Sequence, residues 1–163
     1  MTTGQYNGRM ADVLSSQQRS LCMSRIRGKD TQPEMLVRKG LFALGFRFRL
    51  HARNLPGSPD LVFPKHGAAI FVHGCLWHGH GCHLFKWPQT NAVFWRNKIE
   101  RNKRNDMACQ KALRVAGWRV LTIWECALRG RKKTEPDLLL REISRWLKSR
   151  SPRATLKGRR SVN

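Results

Sequence analysis

Apolar and polar positions along the chain predict a helix, three strands, a long helix, a fourth strand and a final helix. The first helix begins at Thr31, where Thr31-Gln32-Pro33-Glu34 has the spacing of a capping box with proline in the first turn. We expect this helix to end at Gly45. The segments with strand character are residues 46–50, 60–63, 68–73 and 118–124. The third is apolar throughout, which indicates a central place in a sheet.

The remaining segments complete an α/β pattern. Thr90 or Asn91 is suited to cap the long helix, which ends before Gly117, and the last helix covers residues 135–147. This order predicts one α/β domain with a mixed central β-sheet flanked by helices. We place the domain at residues 19–147, with a flexible N-terminal arm at 1–18. Residues 148–163 are predicted to be a disordered basic tail, because they hold six basic residues and no acid.

The net charge of the chain indicates what kind of partner it binds. The 163 residues contain 32 Lys and Arg against 10 Asp and Glu, a net charge of +22. A field of that size attracts a polyanion, and nucleic acid is the usual one. We find no apolar run of membrane-spanning length and no signal peptide in residues 1–20, and the cysteine number is odd. We therefore expect a cytoplasmic protein with reduced thiols and no membrane partner.

The stretch VHGCLWHGHGCH, residues 72–83, holds four of the six histidines and two of the five cysteines. Cys75, His80 and Cys82 are ligands of the zinc type, and a closed tetrahedral site needs four such ligands. Gly79 and Gly81 are small enough to let the loop fold back on one ion. The alternative is a set of reduced thiols and surface histidines.

The fourth zinc ligand is open among His73, His78, His83 and a distant residue. Cys126 is a good distant candidate, because it follows the strand that ends at Trp124. If that strand lies beside the strand ending at His73, both reach the same edge of the sheet. Metal ligation is the expected role of the clustered cysteines in a reducing compartment.

Carboxylates are scarce in the first half of the chain. Hydrolysis of a phosphodiester commonly uses Mg²⁺, which prefers oxygen ligands, and between Val13 and Ile99 only Asp30, Glu34 and Asp60 are acidic. The first two have ordinary roles at a helix N-terminus. Asp60 has no such role, since it opens an apolar strand after a proline-rich bend. An ion pair with a nearby arginine is the alternative reading.

Asp60 and the strand after it resemble the core of the restriction-endonuclease-like nucleases, in which Pro-Asp is followed by (Asp/Glu)-x-Lys on the next strand. Phe71 stands at the position of the second carboxylate and His73 at that of the lysine. With this departure, the segments LPGSPDLVF, IFVHGCLWHGHGCHLFKWP, FWRNKIERNKRND and GWRVLTIWECALRGR resemble the very short patch repair endonucleases of bacteria. The resemblance runs from about Arg19 to Arg131.

The resemblance implies a Mg²⁺-dependent DNA mismatch endonuclease with a restriction-endonuclease-like core and a structural zinc. Such an enzyme nicks one strand 5′ of the T in a T:G mispair left by deamination of 5-methylcytosine, and so initiates very short patch repair. It also suggests a DNA cytosine methyltransferase and mismatch-repair proteins as functional partners. A strand-specific nick needs only a monomer.

Site residues are carried over from the family by motif position. Asp60 and the main-chain carbonyl of Val72 are expected to hold Mg²⁺, and His73 to contact the water around it. His78 is expected to act as general acid or base, and Glu34 to lie near the site. The zinc ligands implied are Cys75, His80, Cys82 and Cys126.

Contacts with DNA are expected from the tip of the His/Cys loop and from the long helix. The resemblance implies that Leu76, Trp77 and Trp95 intercalate beside the mismatch, an easily deformed step, and that Met23 enters the groove. Core packing is the alternative for Trp95, as assigned to Trp118 and Trp124. Arg96 and Lys98 begin a basic helix face that either grips phosphates or is simply solvated.

Two other functions fit part of this pattern. A zinc-stabilised DNA-binding protein without catalysis needs the His/Cys loop and the charge, but not Asp60 or His78. A nuclease of the His-Asn-His type would lose its catalytic metal when the His/Cys ligands are removed, while Asp60 would be dispensable. Replacement of Asp60 by alanine separates both from the repair endonuclease.

Overall fold

The computed structural model describes residues 30–159. The chain divides into two compact units, Met1–Thr31 and Gln32–Asn163. The predicted arm at 1–18 and Met23 lie outside the described residues. No helix in the described part of the chain is long and apolar enough to cross a membrane.

The second unit is built on a mixed β-sheet, as the sequence predicted. Among the described residues the sheet has five strands in the order β1-β2-β3-β4-β5. They are β1 (Arg49–Leu50), β2 (Leu61–Phe63), β3 (Ala68–His73), β4 (Arg119–Trp124) and β5 (Arg153–Leu156). β1, β2 and β3 pair antiparallel, whereas β4 is parallel to both β3 and β5. The apolar third segment is the central strand, as expected.

Helices cover both faces of this sheet. They are α1 (Gln32–Ala43), α2 (Ala92–Val115), the short α3 (Glu125–Leu128) and α4 (Pro136–Lys148), and a 3₁₀ turn covers Pro64–His66. The larger apolar core joins residues of α1 and α4, such as Leu41 and Ile143, to Ile70 and Ile123 of the sheet. A smaller core lies on the other face, where Leu113 of α2 packs near Phe71. The middle of the sheet is therefore enclosed between two helical layers, which explains why β2 and β3 are buried along almost their whole length.

Element boundaries differ from the sequence prediction where local signals compete. The first strand shrinks from residues 46–50 to Arg49–Leu50, because Phe46 turns into the core against Phe63 while both residues of the short strand are exposed. Asn91 occupies the N-cap position of α2 in a left-handed conformation, and its side chain makes no capping hydrogen bond. Asn91 therefore occupies the predicted capping position, but its side chain does not make the hydrogen bond that defines a side-chain cap.

The C-terminal segment contradicts the predicted disordered tail. Residues 153–156 form β5, which pairs with β4 from Val120↔Arg153 to Ile123↔Leu156. The segment has only two partly buried apolar side chains, Ala154 and Leu156, and both pack against the main core. Composition alone suggested a solvated tail, but the open edge of β4 supplies backbone partners that a local reading of charge does not contain.

Candidate active site and metal centre

The parallel pairing of β3 and β4 brings the chemistry to one edge of the sheet. His73 pairs in register with Trp124, so the loop after His73 and helix α3 after Trp124 begin side by side. From the sequence, we expected this arrangement only if the two strands were neighbours in the sheet. It places Cys126 next to the His/Cys loop.

Four side chains converge there into what we call the cage: Cys75, His80, Cys82 and Cys126. Their ligand atoms all lie within 4.8 Å of one another. His80 Nδ1 is 3.6 Å from Cys75 Sγ and 3.5 Å from Cys126 Sγ, and the S···N edge of a tetrahedral Cys/His zinc site is also about 3.5 Å. The four residues predicted as ligands therefore form a group that could hold a metal ion.

Backbone N–H groups and an aromatic ring support the cage. Gly158 donates its N–H to Cys126 Sγ at 3.3 Å, and Leu84 donates to Cys82 Sγ at 3.4 Å. The ring of His80 stacks on Trp124, with centroids 4.2 Å apart. Trp124 therefore lines the cage and is not among the residues of the two apolar cores, contrary to the sequence assignment.

A bound cation would stabilise the charged form of the cage thiols. Burial raises the pKa of the Cys75 and Cys126 thiols above the usual range and lowers the pKa of His80. Thiolates in this environment need a positive ion beside them, and a bound metal ion supplies that charge. The donor set of three sulfurs and one imidazole nitrogen is the kind that soft or borderline metals take.

One of the two predicted glycines shapes the loop. Gly79 has φ +59°, and a Cβ there would lie 2.6 Å from Ile99 Cγ2, so only glycine fits without displacement. A Cβ on Gly81 would meet nothing within 4 Å. The tight turn therefore depends on the first glycine alone.

Beside the cage, two histidines and an aspartate form a second cluster. The rings of His73 and His78 stack with centroids 3.9 Å apart and an interplanar angle of 2°. His78 Nδ1 lies 2.5 Å from Asp106 Oδ2 on α2. Burial first, and then the charge of His78, lowers the pKa of His73 to about 4, so His73 is neutral at neutral pH and can stack on its neighbour without charge repulsion.

The same contacts determine which nitrogen of His78 is available. A carboxylate accepts hydrogen bonds, so Nδ1 carries the proton toward Asp106 and Nε2 remains for other partners. Asp106 holds the ring in one orientation and one tautomer, as outer carboxylates do for working histidines. The arrangement is suited to proton transfer at Nε2.

Asp60 lies where β2 approaches β3. Its Oδ2 accepts the backbone N–H of Val72 at 2.7 Å. Burial raises the pKa of Asp60 to about 6, partly offset by this hydrogen bond, and the nearby charge of Glu34 raises it further. A half-buried carboxylate of this kind fits a site for a divalent cation, which would offset the cost of its charge.

Asp60 has further charged neighbours on α1 and in the loop after β1. Glu34 Oε2 pairs with Arg38 Nη2 at 3.0 Å, and the same nitrogen lies 2.8 Å from His51 Nε2. Both residues of the ion pair are buried. Glu34 thus belongs to the surroundings of Asp60, as the resemblance implied, whereas Arg38 and His51 were not singled out in the sequence.

An aromatic surface extends from the loop tip onto α2. The rings of Trp77 and Trp95 lie 5.4 Å apart, and Lys98 Nζ is within 5.6 Å of both and of Phe94. Asn102 donates to the carbonyl of Trp77 at 2.8 Å. Leu76 is half-buried and Arg96 exposed. Trp77, Trp95 and Lys98 are therefore grouped, with about half of the Phe94 side chain exposed beside them.

Sequence reasoning missed Asp106, Asn102 and Glu125, whose Oε2 accepts the N–H of Cys75 at 3.1 Å. A signal for two of them exists in α2. Its sheet-facing positions begin and end with apolar Ile99 and Leu113 but carry Asn102, Asp106 and Gln110 between them. Polar residues in the buried stripe of a helix indicate a site beneath it.

Comparison with known proteins identifies a family for this chain. The sequence profile of the family described as DNA mismatch endonuclease Vsr matches residues 11–84. The Type II nicking enzyme V.XorIIP of Xanthomonas oryzae pv. oryzae is 46% identical over 119 residues, which cover 73% of this chain and 88% of that protein. The DNA mismatch endonuclease Vsr of Escherichia coli is 42% identical over 138 residues, 85% of this chain and 88% of that protein.

A third relative is matched over almost its whole length. The Type II nicking enzyme V.NmeAIP of Neisseria meningitidis is 39% identical over 136 residues, 82% of this chain and 97% of that protein. The resemblance drawn from the sequence is thereby confirmed. The chain belongs to the DNA mismatch endonuclease Vsr family, whose members act on DNA as endonucleases.

Proposed function

We propose that this protein is a strand-specific mismatch endonuclease that nicks DNA 5′ of the T in T:G mispairs and so initiates very short patch repair. The single observation that carries the proposal is the stacked pair His73–His78, tied to Asp106 and set directly beside the cage. A DNA-binding protein without catalysis has no need of an oriented histidine of this kind. Family membership and the strongly basic chain supply the substrate class.

His78 is the proton-transfer residue in this proposal. With Nδ1 engaged by Asp106, its Nε2 is the atom that takes or gives a proton at the scissile phosphate. His73 stays neutral because burial lowers its pKa, so it orients water by hydrogen bonding without competing for the proton. The stack holds the two rings in parallel planes.

Asp60 and the carbonyl of Val72 would hold Mg²⁺, with Glu34 nearby. The cation would offset the negative charge that develops on the phosphate and position the attacking water. Asp60 fits this part because it is half-buried with a raised pKa and contacts the backbone of Val72, next to His73. This restriction-endonuclease-like arrangement uses Asp60, immediately before β2, together with the end of β3.

Zinc is the metal we propose for the cage. A donor set of three cysteines and one histidine leaves no open position in a tetrahedral site, which is the pattern of structural zinc. Its role is to hold the loop that carries His78 and Trp77 against the ends of β3 and β4. Loss of the metal would therefore disorder catalytic and DNA-reading residues together.

Leu76, Trp77 and Trp95 are proposed to wedge beside the mispair, with Arg96 and Lys98 on the phosphates. A T:G wobble step deforms more easily than a paired step, so insertion there costs less. Met23, which lies outside the described residues, stays a prediction as a residue that enters the groove. We further propose that the protein acts as a cytoplasmic monomer, in functional association with a cytosine methyltransferase and mismatch-repair proteins.

A strand-resolved nicking assay tests the proposal. Duplexes with a T:G mispair in several sequence contexts, and matched T:A duplexes, are labelled on each strand and incubated with and without Mg²⁺. We expect a Mg²⁺-dependent nick 5′ of the mispaired T. Asp60→Ala should bind the duplex but nick at least ~100-fold more slowly.

Asp137→Ala is the matched control, since it removes an exposed carboxylate from the first turn of α4. It should nick at the wild-type rate. Undiminished incision by the Asp60 variant would overturn the assignment. Binding without incision by the wild-type protein under every condition would favour the non-catalytic alternative.

A further inference from the structure

Asp60 is surrounded by an unusual set of charges for a cation site. Glu34 adds a negative charge near its carboxylate and raises its pKa, while His51 and then Arg38 act in the opposite direction. The Arg38 guanidinium lies against Glu34 Oε2 at 3.0 Å. Glu34 is 4% exposed and Arg38 6% exposed, so water screens these charges little.

His51 fixes the guanidinium from the other side. Its Nε2 is 2.8 Å from Arg38 Nη2, and because a guanidinium only donates, this ring nitrogen accepts. His51 adopts φ +46°, a conformation that is costly for a residue with a Cβ. Its backbone N–H also bonds the main-chain carbonyl of Asp60 at 3.3 Å, so His51 links Arg38 directly to the Asp60 segment.

We propose that Arg38 sets the charge of the divalent-cation site, by offsetting the charge of Glu34 so that the cation at Asp60 meets one negative charge fewer. This inference rests on the proposed function. A site of low net charge binds Mg²⁺ weakly on its own and depends on the phosphates of the substrate to complete it. Arg38 is a positioning residue in this scheme, since it acts through Glu34 and the cation.

The test measures metal binding without nicking. Mn²⁺, as a stand-in for Mg²⁺, is titrated into the zinc-loaded full-length protein, and free Mn²⁺ is followed by electron paramagnetic resonance. Arg38→Met keeps much of the side-chain volume but removes the charge. We expect it to bind Mn²⁺ at least about tenfold more tightly, because a buried unit charge acts on a nearby divalent ion with less screening than in water.

The double variant Arg38→Met/Glu34→Gln restores the net charge and leaves no buried carboxylate unpaired. Its Mn²⁺ affinity should return to within about threefold of the wild type. A purely structural role for the ion pair predicts the opposite pattern, with weaker Mn²⁺ binding in both variants, and that result would overturn the inference. If Arg38→Met does not fold by circular dichroism, the double variant alone decides, because weaker binding there contradicts charge compensation.

Arg129→Met is the matched control. Arg129 also pairs with a glutamate one helical turn earlier, Glu125, at 3.0 Å, but its side chain is 63% exposed. Its removal should leave Mn²⁺ affinity unchanged. Asp60→Asn distinguishes failure of the proposed function from failure of this inference. If Asp60→Asn still binds Mn²⁺, Asp60 is not a metal ligand and both proposals are wrong. If Arg38→Met binds Mn²⁺ with wild-type affinity, only the inference about Arg38 is wrong.

Discussion

Single residues in this protein are tuned by their neighbours more than by their type. His73 and His78 are the same side chain five positions apart, yet one is buried with its pKa lowered to about 4 and the other is half-buried against Asp106. Burial removes the charge from one imidazole, and a carboxylate orients the other. This division leaves a single imidazole available for proton transfer.

Asp106→Asn tests the orienting role. The amide can donate to His78 Nδ1 and so favour the wrong tautomer, which we expect to slow nicking about 10- to 100-fold. Affinity for the T:G duplex, measured by fluorescence anisotropy, should stay unchanged because the side chain lies behind the histidine. Asp137→Asn serves as the control for loss of one carboxylate. An Asp106 variant with wild-type turnover would show that His78 needs no partner.

At the scale of elements, the segment that follows β5 supports the cage. After β5, the backbone of Gly158 reaches Cys126 Sγ, and Arg159 donates its N–H to the carbonyl of Lys132 at 2.8 Å. A Cβ on Gly158 would lie 2.5 Å from the carbonyl oxygen of Cys126. Glycine is therefore required for this close approach of two backbone segments.

Gly158→Ala should loosen the cage. Displacing the backbone removes the N–H···S bond to Cys126, and loss of such an outer contact typically costs about 10- to 100-fold in metal affinity. Zinc retention against a colorimetric chelator measures the effect. Gly81→Ala is the control, because it lies in the cage loop but its Cβ has open space. Equal zinc retention by the two variants would mean that the C-terminal segment only covers the cage.

Elements differ in how far the sequence predicts them. The segments of β3 and α2 were placed almost to the residue, since the first is a continuous apolar run and the second is bounded by helix start and stop signals. β5 was missed because its basic composition was taken to indicate a solvated tail. Its residues 153–156 do alternate between exposed and partly buried positions, but the strand forms by pairing with the open edge of β4. The two-residue β1 was overextended for the related reason that Phe46 serves the core.

For the molecule as a whole, two buried groups make stability depend on pH in opposite directions. Asp60 has a folded pKa of about 6 against 3.8 for the ordinary group, so the folded state binds its proton more tightly and stability falls as pH rises through this window. His73 has a folded pKa of about 4 against 6.5, so its contribution is present above 6.5 and is lost as pH falls toward 4.

The free energy of unfolding, measured with urea in Mg²⁺-free buffer, separates these effects. The free energy of unfolding of Asp60→Asn minus that of the wild type should increase between pH 4 and 6, by at most about 3 kcal/mol for a shift of this size. For His73→Asn, the same difference should decrease as pH rises through this range. Differences from wild type that do not change with pH would contradict the assigned burial of both groups.

The sequence by itself determined the α/β order, the basic character, three of the four cage residues and the family, because periodicity, charge and motif spacing are written along the chain. Only the tertiary structure decided that Asp106 orients His78, that Arg38 and His51 stand beside Asp60, and that the end of the chain closes the cage. Each of these depends on residues far apart in sequence meeting at one edge of the sheet. Such contacts arise from the parallel pairing of β3 and β4 and from helix packing, and no local pattern records them.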